Sequence, residues 1–286
     1  MQIRINYLLL ATLIFSSITY TDEVKRVIYA SWDKPDVELL YVLPKELNKD
    51  TKVLFIIHGG SRNVEKYLNL WRKPAKDKNI ILVAPHFTKE NYQYYATLGM
   101  AKSSGVVIDN KANWLTNSIA SFHTFFKSKF NLSVDTYLMF GFSGGSQFTH
   151  RYLMYGEDKA IEKAAIGSAG WYTFINNEPF PYGIKNMPLE PGRIEWLMSR
   201  EVLFLLGDKD NDPNHSSLNS SKGARKQGSN RLSRGWRYFN NLIKVGDSFQ
   251  IPFRWRYELI ENVDHDTKLM SRAAMPFILE DLDYKD

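Results

Sequence analysis

Four short segments constrain the fold most. Val53–Ile57 (VLFII), Ile80–Ala84 (IILVA), Thr136–Phe140 (TYLMF) and Val202–Leu206 (VLFLL) are nearly unbroken in apolar residues. A strand with one wet face alternates apolar and polar side chains, whereas a continuous apolar run is a strand covered on both faces. Further runs lie at Val37–Leu43, Ala164–Ile166 and Trp255–Ile260. Between the runs lie stretches of helical length: Val64–Lys78, Trp114–Lys129, Gln147–Tyr155, Arg231–Val245 and Lys268–Asp281. Strands alternating with helices in this way predict an α/β fold, a mostly parallel central sheet with helices on both faces. Val27–Trp32 and Val37–Leu43 are expected to pair as an antiparallel hairpin at one edge. In Arg231–Val245 the residues Leu232, Trp236, Phe239 and Ile243 recur at helical spacing and predict the buried face. Arg234, Arg237 and Lys244 fall on the opposite, solvated side.

Length and composition exclude several classes. With 286 residues, 44% of them hydrophobic and 24% charged, the chain can bury a core without staples. It has no cysteine, so disulfides, thiolate metal sites and a cysteine nucleophile are excluded. The net charge of +6 is too diluted by acidic residues to argue for nucleic acid as a partner. The N-terminus is more specific. Arg4 precedes a nine-residue apolar run, Tyr7–Phe15, followed by Ser16, Ser17 and Thr19. That order reads as a secretory signal over residues 1–21, cut between Ser17 and Asp22. Nine residues are too few to span the ~30 Å of a bilayer core as a helix. The expectation is therefore export, periplasmic or secreted, without stable membrane insertion after cleavage. A buried first strand or an uncleaved anchor is the competing reading.

Two stretches break the alternation. Residues 86–113 are rich in Tyr, Gly and Ser, and residues 171–193 carry Pro179, Pro181, Pro188 and Pro191. Both follow strands, so both are expected at the carboxyl edge of the sheet, where open α/β sheets bind ligands.

The chemistry centres on residues 136–155. The apolar run leads directly into Gly141-Phe142-Ser143-Gly144-Gly145 and then a helix-like stretch. This is a G-x-S-x-G elbow with strand before and helix behind, the context that lifts a serine clear of a sheet. Gly141 and Gly145 stand where a Cβ would collide with neighbouring backbone. Ser143 is thus the candidate nucleophile, and a serine hydroxyl needs a base and a group to orient that base. In this arrangement the acid and then the histidine follow the serine in the chain. His265 is the one histidine beyond the last apolar run and is the candidate base. The acid is taken as Asp210, three residues past Gly207, with Asp208 and Asp212 as alternatives. The D-x-D-x-D string beginning at Asp208 is not a calcium loop, because its sixth position is Pro213 and its twelfth Asn219. No metal is expected.

An oxyanion hole needs two N–H donors. Gly144 is expected to supply one and Gly60, in the His58-Gly59-Gly60-Ser61 loop, the other, with Ser61 as second choice. His58 reads as a structural histidine that orients the loop. His86, His123, His150 and His215 lie in no motif. Phe142, Trp171 and Tyr172 are candidates to line a substrate groove, ordinary core packing being the even alternative. The cations Lys222, Arg225, Lys226, Arg231, Arg234 and Arg237 are read as a solvated face.

The segments HGGS (58–61), GFSGGSQFTHRY (141–152), SAGWYTF (168–174), LLGDKDNDP (205–213) and VDHD (263–266) together resemble the α/β-hydrolases of the polyhydroxybutyrate depolymerase and feruloyl esterase type. The resemblance implies an α/β-hydrolase fold over residues 22–286, a Ser143–Asp210–His265 triad, no cofactor, and an exported serine hydrolase of carboxylic esters. Members of this type often carry disulfides, and polymer-degrading members an added binding domain. This chain has no cysteine and little spare length, which favours a small or oligomeric ester as substrate. A serine peptidase of the same fold, or a non-catalytic surface-binding protein with a relic triad, are the alternatives.

Overall fold

A computed structural model describes residues 23–102 and 104–284. The expected signal segment at 1–21 lies outside the described residues. Eight strands form one sheet in the order β1-β2-β4-β3-β5-β6-β7-β8. They are β1 (Lys25–Tyr29), β2 (Val37–Val42), β3 (Lys52–Ile57), β4 (Ile80–His86), β5 (Tyr137–Phe142), β6 (Ile161–Gly167), β7 (Glu201–Gly207) and β8 (Arg256–Ile260). The expected edge hairpin is present: β1 pairs antiparallel with β2, and β2 antiparallel with β4. From β4 to β8 every pairing is parallel.

The unbroken apolar runs are explained by the two layers of core. In β3, Val53, Phe55 and Ile57 enter one cluster while Leu54 and Ile56 enter the other. The first cluster packs α2 (Ser118–Phe130), α3 (Gly144–Tyr155), α4 (Pro191–Ser199) and α6 (Arg231–Phe249) through residues such as Phe122, Phe148, Leu197 and Tyr238. The second packs α1 (Val64–Arg72) and α7 (Thr267–Leu279) through Leu68, Trp71, Phe277 and Ile278. Each such side chain contributes roughly 1.5–3 kcal/mol on burial, so a sheet covered on both faces supplies the main driving force. The short helix α5 (Lys222–Gln227) precedes α6. No helix among the described residues is long and apolar enough to cross a membrane.

Two expectations are corrected. Helix α4 begins inside the proline-rich stretch read as loop, with Pro191 in its first turn. Proline is well suited there, because a first-turn N–H has no intrahelical acceptor to lose. The face of α6 is also rotated from the predicted one. Its buried residues include Arg231, Arg234, Gly235, Tyr238 and Leu242, while Trp236 is 56% exposed. Gly235 lets the helix approach Leu206 so closely that a Cβ would strike that side chain. The two arginines are tolerated in the core because each guanidinium is hydrogen-bonded: Arg231 to Asp210 and Ser217, Arg234 to backbone carbonyls. They are not part of a solvated face.

Candidate active site

The turn between β5 and α3 holds Ser143 at φ 57° and ψ −116°. A non-glycine residue resists this region, and it persists only where surroundings enforce it. The enforcement is visible on both sides. A Cβ on Gly141 would run into the Gly145 carbonyl, and one on Gly145 into the Ile57 carbonyl. The Ser143 N–H donates to Gly167 O (3.1 Å) and Ser143 O accepts from Gln147 N (3.1 Å), which ties the turn to β6 and to the helix.

The loops after β7 and β8 are laced together. Asp208 N donates to Ile260 O (3.1 Å) and Lys209 N to Val263 O (2.9 Å). Asp266 caps α7 by accepting from Leu269 N (2.7 Å), which fixes the backbone beside His265. The result aligns three side chains. His265 Nε2 lies 2.9 Å from Ser143 Oγ, and His265 Nδ1 lies 2.7 Å from Asp210 Oδ2. The Asp210 carboxylate makes Nδ1 the protonated nitrogen and leaves Nε2 free to accept the serine proton. Asp210 is the acid brought to the histidine. Asp208 pairs with Lys209 and Asp212 accepts from Asn214 N.

Burial lowers the pKa of His265 below its usual value, against the opposing pull of the Asp210 carboxylate. The ring is therefore neutral at neutral pH, the form a general base needs. Burial alone pushes Asp210 up, but the hydrogen bond from His265 and the charges of His265 and Arg231 outweigh it and hold the carboxyl below the usual carboxylate range. Arg231 Nη1 donates to Asp210 Oδ1 (3.2 Å) and Nη2 to Ser217 Oγ (2.8 Å).

Gly60 and Gly144 meet beside the serine. A Cβ placed on Gly144 would lie 2.9 Å from Gly60 N, so the two backbone N–H groups border one small space. Neither hydrogen-bonds to another group among the described residues. The loop carrying Gly60 is pinned by His58, whose Nδ1 hydrogen-bonds Gly59 O (3.0 Å) and whose Nε2 accepts from Phe87 N (3.1 Å). Burial lowers the His58 pKa to about 3, so it stays neutral. Tyr95 adds a hydrogen bond to His58 O (2.8 Å).

A cleft of about 320 Å³ opens over Ser143, Gly60 and Gly144. Trp171 lines it, but Phe142 and Tyr172 do not. Phe142 is buried beneath His265, their ring centroids 4.7 Å apart. Tyr172 is fully buried and stacks on Tyr238 at 4.6 Å. Both are packing residues, their rings buried against these neighbours and not in the cleft. The 86–113 stretch contributes Gln93 to Thr97 to the lining, and the segment after β7 contributes Ser216 to Asn219. His215, which carried no motif, sits with its ring 5.7 Å from that of His265. Arg231 was missed as a site residue, and nothing in the sequence separates it from the neighbouring surface cations.

The sequence matches no protein-family model. No curated protein matches it either. Solved structures do. Poly(aspartic acid) hydrolase-1 from Sphingomonas sp. KT-1 superposes with a TM-score of 0.82 at 26% identity, covering 90% of this chain and 98% of that one. LpqC, a poly(3-hydroxybutyrate) depolymerase from Bordetella parapertussis, gives a TM-score of 0.80 at 22% identity, covering 89% of each chain. A ferulic acid esterase gives 0.59 at 14% identity, covering 91% of this chain and 98% of that one. The chain has the α/β-hydrolase fold that these hydrolases share.

Proposed function

We propose that this chain is an exported serine hydrolase that cleaves carboxylic esters through a Ser143–His265–Asp210 triad and an acyl-enzyme. The observation that carries the reading is the continuous hydrogen-bonded line from Ser143 Oγ to His265 to Asp210, ending at a strained serine. His265 takes the Ser143 proton as Oγ attacks the ester carbonyl. The developing oxyanion is received by the N–H groups of Gly60 and Gly144, assisted by the α3 dipole. Asp210 holds the imidazole tautomer and stabilises the imidazolium. His265 then protonates the leaving alcohol, and water, deprotonated by the same imidazole, releases the acid and restores Ser143. No cofactor or metal enters these steps. Small or oligomeric esters are the substrate class. Export rests on the segment at residues 1–21. Its test is N-terminal sequencing of protein recovered outside the cytoplasm, which should begin between Ser17 and Asp22.

An amide-cleaving reading is favoured by one observation. The structural neighbour at 26% identity is a poly(aspartic acid) hydrolase, and that polymer is a polyamide. Parallel assays on 4-nitrophenyl esters and aminoacyl anilides decide between them. Ester turnover lost in Ser143→Ala supports the esterase. Anilide turnover exceeding ester turnover supports the peptidase. Neither, from folded protein, leaves the non-catalytic binding alternative.

A further inference from the structure

The walls of the cleft are held from behind by arginines. Arg151, wholly buried, donates to the carbonyls of Ala96 (2.7 Å) and Gln147 (3.0 Å). Arg234, also buried, donates to the carbonyl of Asn219 (2.9 Å) and to that of Gly170. Arg62 donates to the carbonyl of Gln93 (3.1 Å) and lies over the Tyr95 ring at 4.0 Å. Arg231 lines the cleft itself and donates to Ser217. Ala96, Gln147, Asn219, Gly170, Gln93 and Ser217 all line the cleft, while the same guanidiniums also reach acceptors outside it on Thr173, Gly228 and the backbone of Phe87, Thr88 and Tyr92.

The charge balance of this arrangement is unequal. Among the described residues, Asp210 is the one carboxylate that pairs with any of these four arginines, and no aspartate or glutamate lines the cleft. Arg151 and Arg234, lowered by burial to about 9 and about 10, remain cationic at neutral pH. Backbone carbonyls satisfy guanidinium hydrogen bonds but neutralise no charge. Arg231 Nε and Arg151 Nη2 are buried without any hydrogen-bond partner. A concave, poorly solvated site backed by excess charge of one sign concentrates ligands of the other.

We propose that the cleft selects substrates bearing a carboxylate close to the scissile bond, on the part that lies against Arg231 and the Ser217–Asn219 wall. This rests on the serine-hydrolase reading and names its substrate class. The excess charge acts through space on the bound acid group, and so discriminates anionic from neutral substrates of one shape.

The test compares the 4-nitrophenyl monoester of adipic acid with the same compound methylated on its free acid. Acyl length and leaving group are then equal, the two differing in the charge and one methyl group, and the salt dependence below isolates the charge. The expected result is a kcat/KM about tenfold higher for the acid at low ionic strength. The preference should shrink as salt rises from about 0.01 M to about 1 M, where screening shortens from ~30 Å to ~3 Å. In Arg234→Gln the ratio of the two rates should fall by severalfold. The ratio is taken within one variant, so a loss of folded protein cancels. Equal rates on the two esters, or a preference for the methyl ester, overturn the inference while leaving the hydrolase reading intact. Hydrolysis of neither ester, with folded protein, counts against the hydrolase reading itself.

Discussion

Arg231 donates to the oxygen of Asp210 that His265 leaves unused, at 3.2 Å, with the two side chains 1% and 4% exposed. The carboxylate is thereby gripped from both ends, so its orientation toward His265 is set by a buried cation as well as by the imidazole. Removing one partner of a buried ion pair is costly, typically about 3–5 kcal/mol, because a charge is left uncompensated. Arg231→Met is expected to lower the melting temperature and reduce kcat by at least about tenfold, with Arg231→Lys recovering part of both. The charge of Arg231 also depresses the pKa of His265. Its removal raises that pKa, so the acid limb of the rate profile should move to higher pH. A merely structural arginine would leave the limb in place in the folded fraction.

In the wild type the acid limb reports the protonation of His265. Burial holds its pKa below the unperturbed 6.5, and a base works only when neutral. The acid limb of kcat/KM is expected to have its midpoint below pH 6.5. A midpoint at or above 6.5 contradicts the geometry.

Stability should show the same sign for a different reason. Burial lowers His58 to about 3 and His150 well below its usual value. The unfolded chain therefore binds more protons than the folded one below pH 6.5. Stability is fully present above the unfolded pKa and is lost as pH falls toward the folded values, at a limiting slope of about 1.4 kcal/mol per pH unit for each such histidine. Denaturant titrations at pH 7.5, 6 and 5 read this directly, with the midpoint expected to drop at each step.

The three aspartates of the β7 loop should differ sharply. Asp210→Asn is expected to lose turnover on the order of 10⁴-fold, by presenting an amide where the imidazole needs a carboxylate acceptor. Asp208→Asn and Asp212→Asn should stay within a few-fold of the parent, since neither side chain reaches His265. Steady-state kinetics on one ester separates the three.

At the elbow, Gly141→Ala and Gly145→Ala place a methyl against backbone oxygen, of α3 in the first case and of β3 in the second, that cannot move without disturbing the turn. Overpacking of this kind costs about 1–3 kcal/mol, so both variants should melt earlier and lose activity together. Thermal melts with parallel rate measurements check it.

The sheet was legible because its central strands are buried on both faces, and a run such as VLFLL at Val202–Leu206 has few other uses. Ser143, Asp210 and His265 could be picked out for a related reason: each follows a strand end, and parallel strands bring their carboxyl ends to one edge. The walls of the cleft were not legible. Gln93, Ser217 and Asn219 reach it through irregular segments whose course depends on tertiary contacts. The face of α6 was misjudged because an amphipathic pattern assumes arginine points to water. Arg231 and Arg234 point inward, their N–H groups donating to acceptors in other parts of the chain. Phe142 and Tyr172 show the converse limit. Proximity in sequence to a motif does not say which side of the backbone faces the ligand.

The central claim is that Ser143 is an activated nucleophile. Labelling of purified protein with a fluorophosphonate probe, alongside Ser143→Ala and His265→Ala, tests it most directly. The account predicts stoichiometric labelling of the wild type, none of Ser143→Ala and severely slowed labelling of His265→Ala. A folded wild-type sample that stays unlabelled, or a Ser143→Ala variant that labels like the parent, contradicts it.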